Sequence, residues 1–198
     1  MIGHLHGMLA AKSPPQLIVD VGGVGYEIEA PMSTFYALPA IGQPIRLLTH
    51  LVVREDAHVL YGFGSDAERQ LFRSLLRVTG VGPKLALAIL SGSSVESFSA
   101  CVRAQDVAAL TRIPGVGRKT AERLLVEMRD RLDQLPAFLD PAHGAMQTPT
   151  RETEAFSALV ALGYKPPEAT RLLKAVEPGA PSTEELIRRA LQGAAREA

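Results

Sequence analysis

Two short phrases in this chain set the same residue types at the same spacing: GVGPKLALAIL at residues 80–90 and GVGRKTAERLL at residues 115–125. At an offset of 35 residues, Gly80 matches Gly115, Gly82 matches Gly117, Lys84 matches Lys119 and Ala86 matches Ala121. A Gly-Val-Gly turn between two helices suits the binding of a large anion. Its glycines adopt backbone angles closed to other residues and put no side chain in the way. The turn opens a second helix whose first N–H groups have no intrahelical partner and lie at the positive end of the helix dipole. A lysine two residues after the second glycine adds a full charge. Val81 and Val116 are predicted to pack inward and hold the turns. Every phosphate looks alike, so such a site grips a nucleic-acid backbone without reading its sequence. The candidate DNA-contacting residues are Thr79, Gly80, Val81, Gly82 and Lys84 in the first copy. In the second they are Gly115, Val116, Gly117, Arg118, Lys119, Thr120 and Arg123.

The pattern is that of a helix-hairpin-helix motif, written twice. A single GVG between helices is as well explained by a tight turn with a C-cap glycine. Two copies in one register, each with lysine at the same place, favour phosphate. A nucleotide-binding P-loop does not fit, because Gly115–Thr120 lacks the glycine immediately before lysine and follows helix-like residues, not a buried strand. Formal charge is zero, with 21 basic and 21 acidic residues, which by itself argues against a nucleic-acid partner. The distribution points the other way. Residues 64–135 hold 11 basic and 8 acidic side chains, against 3 and 5 in residues 1–63 and 7 and 8 in residues 136–198.

Arg54-Glu55-Asp56 lies between two strand-like runs, at the expected tip of a β-hairpin. Adjacent carboxylates there are usually a solvated turn. On a protein that holds DNA they would repel phosphates and steer strands apart. No catalytic constellation appears. The five histidines are scattered, with no Cys or carboxylate at metal-ligand spacing beside them. No Ser-His-Asp or H-E-x-x-H pattern is present. A helix-hairpin-helix repair enzyme such as a glycosylase would need a base-flipping pocket, and aromatic residues make up only 5% of the chain. Neither a metal nor a cofactor is expected. Cys101, the lone cysteine, excludes an intrachain disulfide and reads as a small core residue. With no leader pattern and no membrane-length apolar run, a soluble cytoplasmic protein is expected.

The elements that must position these residues follow from periodicity. Residues 1–63 contain five strand-like runs (2–8, 16–21, 26–29, 45–53 and 59–63) broken by Pro and Gly. They suggest a small closed barrel, with the OB-fold and other small barrels both open. Residues 64–135 read as helices: Ser65 with Glu68 forms a capping-box pattern, and further helices are predicted over 83–90, 95–103, 106–111 and 118–133. Residues 136–150 lose periodicity and read as a flexible linker. Residues 151–198 show three apolar helical stripes and resemble a ubiquitin-associated-type three-helix bundle. Leu162, Gly163, Tyr164, Leu172 and Leu173 are its candidate partner-binding residues, and a protein-interaction adaptor built on this module is a further reading. The fold class is therefore α+β multidomain.

Six phrases together resemble the RuvA family over the whole chain: MIG at the start, DVGGVGYEI at 20–28, HLVVREDAHVLYGF at 50–63, TGVGPKLALAILSG at 79–92, PGVGRKTAERLLVEM at 114–128 and ALVALGYKPPEA at 158–169. The family comprises junction-binding subunits of the bacterial branch-migration complex in recombination and DNA repair. The resemblance implies an N-terminal OB-fold, a double helix-hairpin-helix domain, a linker and a C-terminal three-helix domain. It implies a homotetramer, or two tetramers face to face as an octamer, holding an open, square-planar four-way DNA (Holliday) junction. Glu55 and Asp56 would be its central acidic pin. It also implies docking of the C-terminal domain on the hexameric RuvB ATPase, access for the RuvC resolvase, and no catalysis by this chain. Position 118 is Arg, where Lys is equally compatible with the pattern, and the linker follows no fixed pattern.

Overall fold

The computed structural model describes residues 1–134, 151–176 and 182–197. The chain divides into two compact units between residues 139 and 140. The predicted linker, 136–150, lies outside the described residues.

The first unit opens with five strands: β1 (His4–Ser13), β2 (Gln16–Val21), β3 (Val24–Glu29), β4 (Pro44–Val53) and β5 (His58–Phe63). They close into a barrel in the order β1-β2-β3-β5-β4. Every pairing is antiparallel except β3 with β5. This is an OB-type barrel, and its closure leaves no open sheet edge. Alternate residues fill the interior: Leu5, Leu9, Leu17, Val19, Ile28, Ile45, Leu47 and Leu60. β1 runs to Ser13, beyond the predicted end at Met8. It pairs with β4 through its first half and with β2 through its second, and a register shift between Leu9 and Ala11 bends it from one partner to the other. The shift interrupts the apolar alternation that would have marked the second half as strand.

A short helix that periodicity does not predict, α1 (Met32–Tyr36), sits between β3 and β4. Distant partners hold it. The Glu68 carboxylate accepts hydrogen bonds from the Ser33 and Thr34 hydroxyls, and Met32 N–H donates to Ser91 Oγ at 3.0 Å. Glu68 is also one half of the predicted capping box: its own N–H donates to Ser65 Oγ at 3.2 Å, and its carboxylate receives the Ser65 N–H.

That box starts α2 (Asp66–Leu75), and α3 (Pro83–Gly92), α4 (Val95–Arg103), α5 (Val107–Thr111) and α6 (Arg118–Gln134) follow. Ser94 caps α4 and Asp106 caps α5 through side-chain oxygens. β5 joins the two halves by simple alternation. Leu60 points into the barrel, and a Cβ at Gly62 would lie 2.6 Å from Ile28 Cγ2, so that position faces inward as well. Tyr61 and Phe63 point the other way, into the core of the helical half. There their rings lie 5.0 and 4.9 Å from that of Phe72 on α2.

His50, opposite Tyr61 on β4, completes this seam. Its ring meets Phe72 edge-on at 5.7 Å, and its Nδ1 accepts a hydrogen bond from Arg73 Nε at 3.3 Å. Burial first, then the charges of Arg73 and Arg69, hold its pKa below the ordinary 6.5. The folded state therefore favours the neutral ring. The stabilisation is complete above pH 6.5 and is lost as pH falls from there through the lower folded value. Chemical denaturation of the full chain at stepped pH should show this decline, and His50→Gln should flatten it; an equal slope in both proteins would contradict the assignment.

The second unit contains α7 (Arg151–Ala161), α8 (Pro166–Lys174) and α9 (Thr183–Glu197). Leu159, Ala169, Leu172 and Ala190 form its centre, with Phe156, Tyr164, Leu173, Val176, Ile187 and Leu191 packed around them. Ser182 caps α9, its Oγ accepting from Glu185 N–H at 3.2 Å.

Candidate nucleic-acid interface

Both glycine turns are built by the same hydrogen bonds, 35 residues apart. Val78 N–H reaches Leu75 O at 2.9 Å, and Ile113 N–H reaches Leu110 O at 3.1 Å. Val81 N–H reaches Val78 O, and Val116 N–H reaches Ile113 O, each at 3.0 Å. Ala86 and Ala121 then close the first turn of the second helix on Gly82 O and Gly117 O at 3.0 and 2.9 Å. Gly80 and Gly115 take φ of +85° and +86°, the left-handed region that disfavours a Cβ. Val81 and Val116, only 6% and 5% exposed, are the inward anchors.

The second glycines differ from the first in kind. Gly82 has an ordinary extended backbone, φ −93° and ψ 173°, and no heavy atom lies within 4 Å of where its Cβ, or that of Gly117, would be. Their contribution is therefore open space in front of a helix N-terminus rather than an unusual angle. Gly82 is the N-cap of α3 and offers no side-chain hydrogen bond. Pro83 at the first position has no N–H, so the amides of Lys84 and Leu85 are the ones left for an external acceptor.

The two corners face each other's helices. A Cβ at Gly115 would lie 3.3 Å from Leu85 Cδ1 on α3, and one at Gly80 would lie 3.5 Å from Arg123 Nη1 on α6. Lys84 and Lys119 are both exposed. Arg118 is exposed but pairs with Glu122 at 3.0 Å. Thr79 is exposed and Thr120 half-buried, while Arg123 Nη1 donates to Thr79 O at 2.9 Å. The repeat also carries a matched cation pair outside the predicted set, Arg77 and Arg112, both exposed. The same offset of 35 that revealed the lysines would have found them.

Glu55 and Asp56 stand exposed at the tip of the β4–β5 hairpin, beyond the Val53–His58 pair and the 2.9 Å bond from Arg54 N–H to Ala57 O. In the second unit Leu162 is 62% exposed, while Leu172, 5% exposed, belongs to that unit's own core. Leu173 and Tyr164 are partly buried against that core, and Gly163 forms the turn after α7. Among the described residues no group of three His, Cys, Asp or Glu side chains is placed to hold a metal ion. No single described helix is long and apolar enough to cross a membrane.

An OB-type barrel joined to a tandem helix-hairpin-helix unit, with a separate three-helix module, defines a modular DNA-backbone-binding architecture. Family models match each part in turn: the RuvA N-terminal domain over residues 1–62, a SAM-like helix-hairpin-helix tandem over 72–130 and the RuvA C-terminal domain over 150–195. The chain is 61% identical to a protein of Thioalkalivibrio sulfidiphilus over 97% of its own length and 98% of the relative's. It is 59% identical to one of Alkalilimnicola ehrlichii (99% and 100% covered) and 58% identical to one of Methylococcus capsulatus (99% and 100%). Each of these relatives is named Holliday junction branch migration complex subunit RuvA. The chain belongs to the RuvA family.

The two kinds of glycine separate by mutation. Gly80→Ala places a Cβ at φ +85° and should destabilise the first unit by about 1 kcal/mol. Gly82→Ser fits its angles and adds a capping oxygen, so stability should hold or rise by a few tenths of a kcal/mol. Thermal melts of both variants check the contrast, and equal losses would refute it.

Proposed function

We propose that this chain binds four-way DNA junctions, holds them open and square-planar, and targets a RuvB-type ATP-driven motor to them for branch migration in recombination and repair. The observation that carries this reading is the pair of glycine corners, built by matching bonds and each followed by an exposed lysine. A double-stranded arm presents phosphates on both sides of its minor groove, and two adjacent corners suit a grip on both. The relatives' names supply the junction and the branch-migration complex.

On this reading residues 1–63 form the barrel domain, 64–135 the double-hairpin domain, 136–150 a tether and 151–198 the partner-binding domain. Thr79, Gly80, Gly82 and Lys84, with Gly115, Gly117, Arg118, Lys119, Thr120 and Arg123, make up the DNA face, and Val81 and Val116 hold it from within. The chain acts as a homotetramer, singly or paired into an octamer, which brings the Glu55 and Asp56 carboxylates of four copies around the crossover. They repel the phosphates there and keep the arms apart. Leu162, Gly163, Tyr164 and Leu173 present the apolar side of the motor-docking module, with Leu172 supporting them from its core. A RuvC-type resolvase can join the assembly, which works in the cytoplasm. The chain itself performs no chemistry.

Gel shift of a synthetic four-way junction against linear duplex tests the reading: a strong preference for the junction is expected, and equal affinity would overturn it. Strand or base cleavage of a lesion-bearing duplex by the chain alone would instead indicate an enzyme. Lys119→Ala should weaken junction binding and reduce the slope of log K against log salt by about 0.9 per engaged site; an unchanged slope removes Lys119 from the phosphate contacts. Glu55→Gln combined with Asp56→Asn should keep or tighten binding while altering the rate of branch migration, and a large loss of affinity would contradict repulsion at the pin.

A further inference from the structure

The glycines, valines and lysines of the two hairpins repeat at the offset of 35, but two arginines on α6 do not. The positions matching Arg123 and Arg131 in the first copy are Ala88 and Glu96. Both arginines reach back to the first copy. Arg123 Nη1 donates to Thr79 O at 2.9 Å, within the first glycine turn. Arg131 Nη1 donates to Ser74 O at 3.1 Å and its Nη2 to Arg77 O at 3.4 Å, bridging the end of α2 to the segment entering that turn. Glu127, one turn earlier on α6, lies 3.4 Å from the same guanidinium and helps to orient it. Repeat-matched residues therefore build each corner, and repeat-breaking residues join one corner to the other.

We infer that Arg123 and Arg131 are positioning residues that fix the spacing between the two phosphate-binding corners. The inference rests on the reading of those corners given above. It assigns Arg123 a role different from that of a free phosphate ligand, and it gives Arg131, outside the predicted DNA face, a part in DNA binding. α6 begins at the second corner, so its axis sets where those amides point. Two arginine anchors, two helical turns apart on α6, clamp that axis to the backbone of the first corner. An arginine suits this task because its planar fork reaches two carbonyls at once and stays charged. Once one corner holds a phosphate, a fixed spacing presents the other at high effective concentration to a second phosphate of the same arm. Without the clamp each corner still binds, but the second contact must be found by a looser partner.

The test uses the full-length chain and a synthetic four-way junction, with affinity measured across a salt series. Arg131→Met should weaken binding roughly tenfold while leaving the salt slope at the parent value, because the same phosphates are still neutralised when bound. Arg131→Lys, which retains the charge but reaches one carbonyl, should fall between the two, and it serves as the probe if the Met variant fails to fold. Arg123→Met should likewise lose affinity at constant slope. A slope reduced by about 0.9 per engaged site would make the substituted arginine a direct phosphate ligand and overturn its positioning role. A lower melting temperature with parental affinity well below the melt would reduce the clamp to a fold-only contact and also overturn it. Lys84→Ala and Lys119→Ala run alongside: if neither alters affinity or slope, the phosphate reading of the corners fails, whereas a normal lysine effect with parental Arg131→Met affinity rejects the clamp alone.

Discussion

The first amides of α3 and α6 cannot be satisfied within their own helices, and the glycines ahead of them bring no side chain to fill the gap. Leaving such donors free is tolerable only at a surface, where water or an anion takes the missing place. Much of the first unit serves that constraint. Val81 and Val116 sink into the core to keep the corners in shape. The left-handed angles of Gly80 and Gly115 turn the chain sharply into the next helix. The lysines add charge without closing the opening. A surface that offers backbone donors in this way has little dependence on base identity.

Much of this was legible in the sequence because it depends on local rules. The repeat, the Ser65–Glu68 box and the hairpin ending in Glu55 and Asp56 all follow from neighbours within a few residues. What escaped was set by distance. α1 is five residues long, too short to show a period, and is held by Glu68 and Ser91 from far along the chain. The second half of β1 hides behind a bulge. No local pattern marks Arg131, because its tie to Ser74 and Arg77 spans more than 50 residues. The two glycines of each corner looked alike in sequence, yet the structure separates a conformational role from a steric one.

Barrel and helices are also less separable than the composition suggests. The boundary near residue 63 falls in a strand that serves two cores, with Leu60 on one side and Tyr61 and Phe63 on the other. Phe72 gathers both aromatic rings and the edge of His50. Burial of these aromatic rings couples the two halves.

That shared strand is also one arm of the hairpin ending in Glu55 and Asp56. Its outer face, with Val52 and Val59 nearest the tip, packs against the helical core rather than standing free. The hairpin is thus a cantilever with its root clamped on both sides. A load applied at the tip passes down β4 and β5 into the aromatic seam and on to the helical half. Bending the finger would require prying the two halves apart, so the hairpin stays stiff under load.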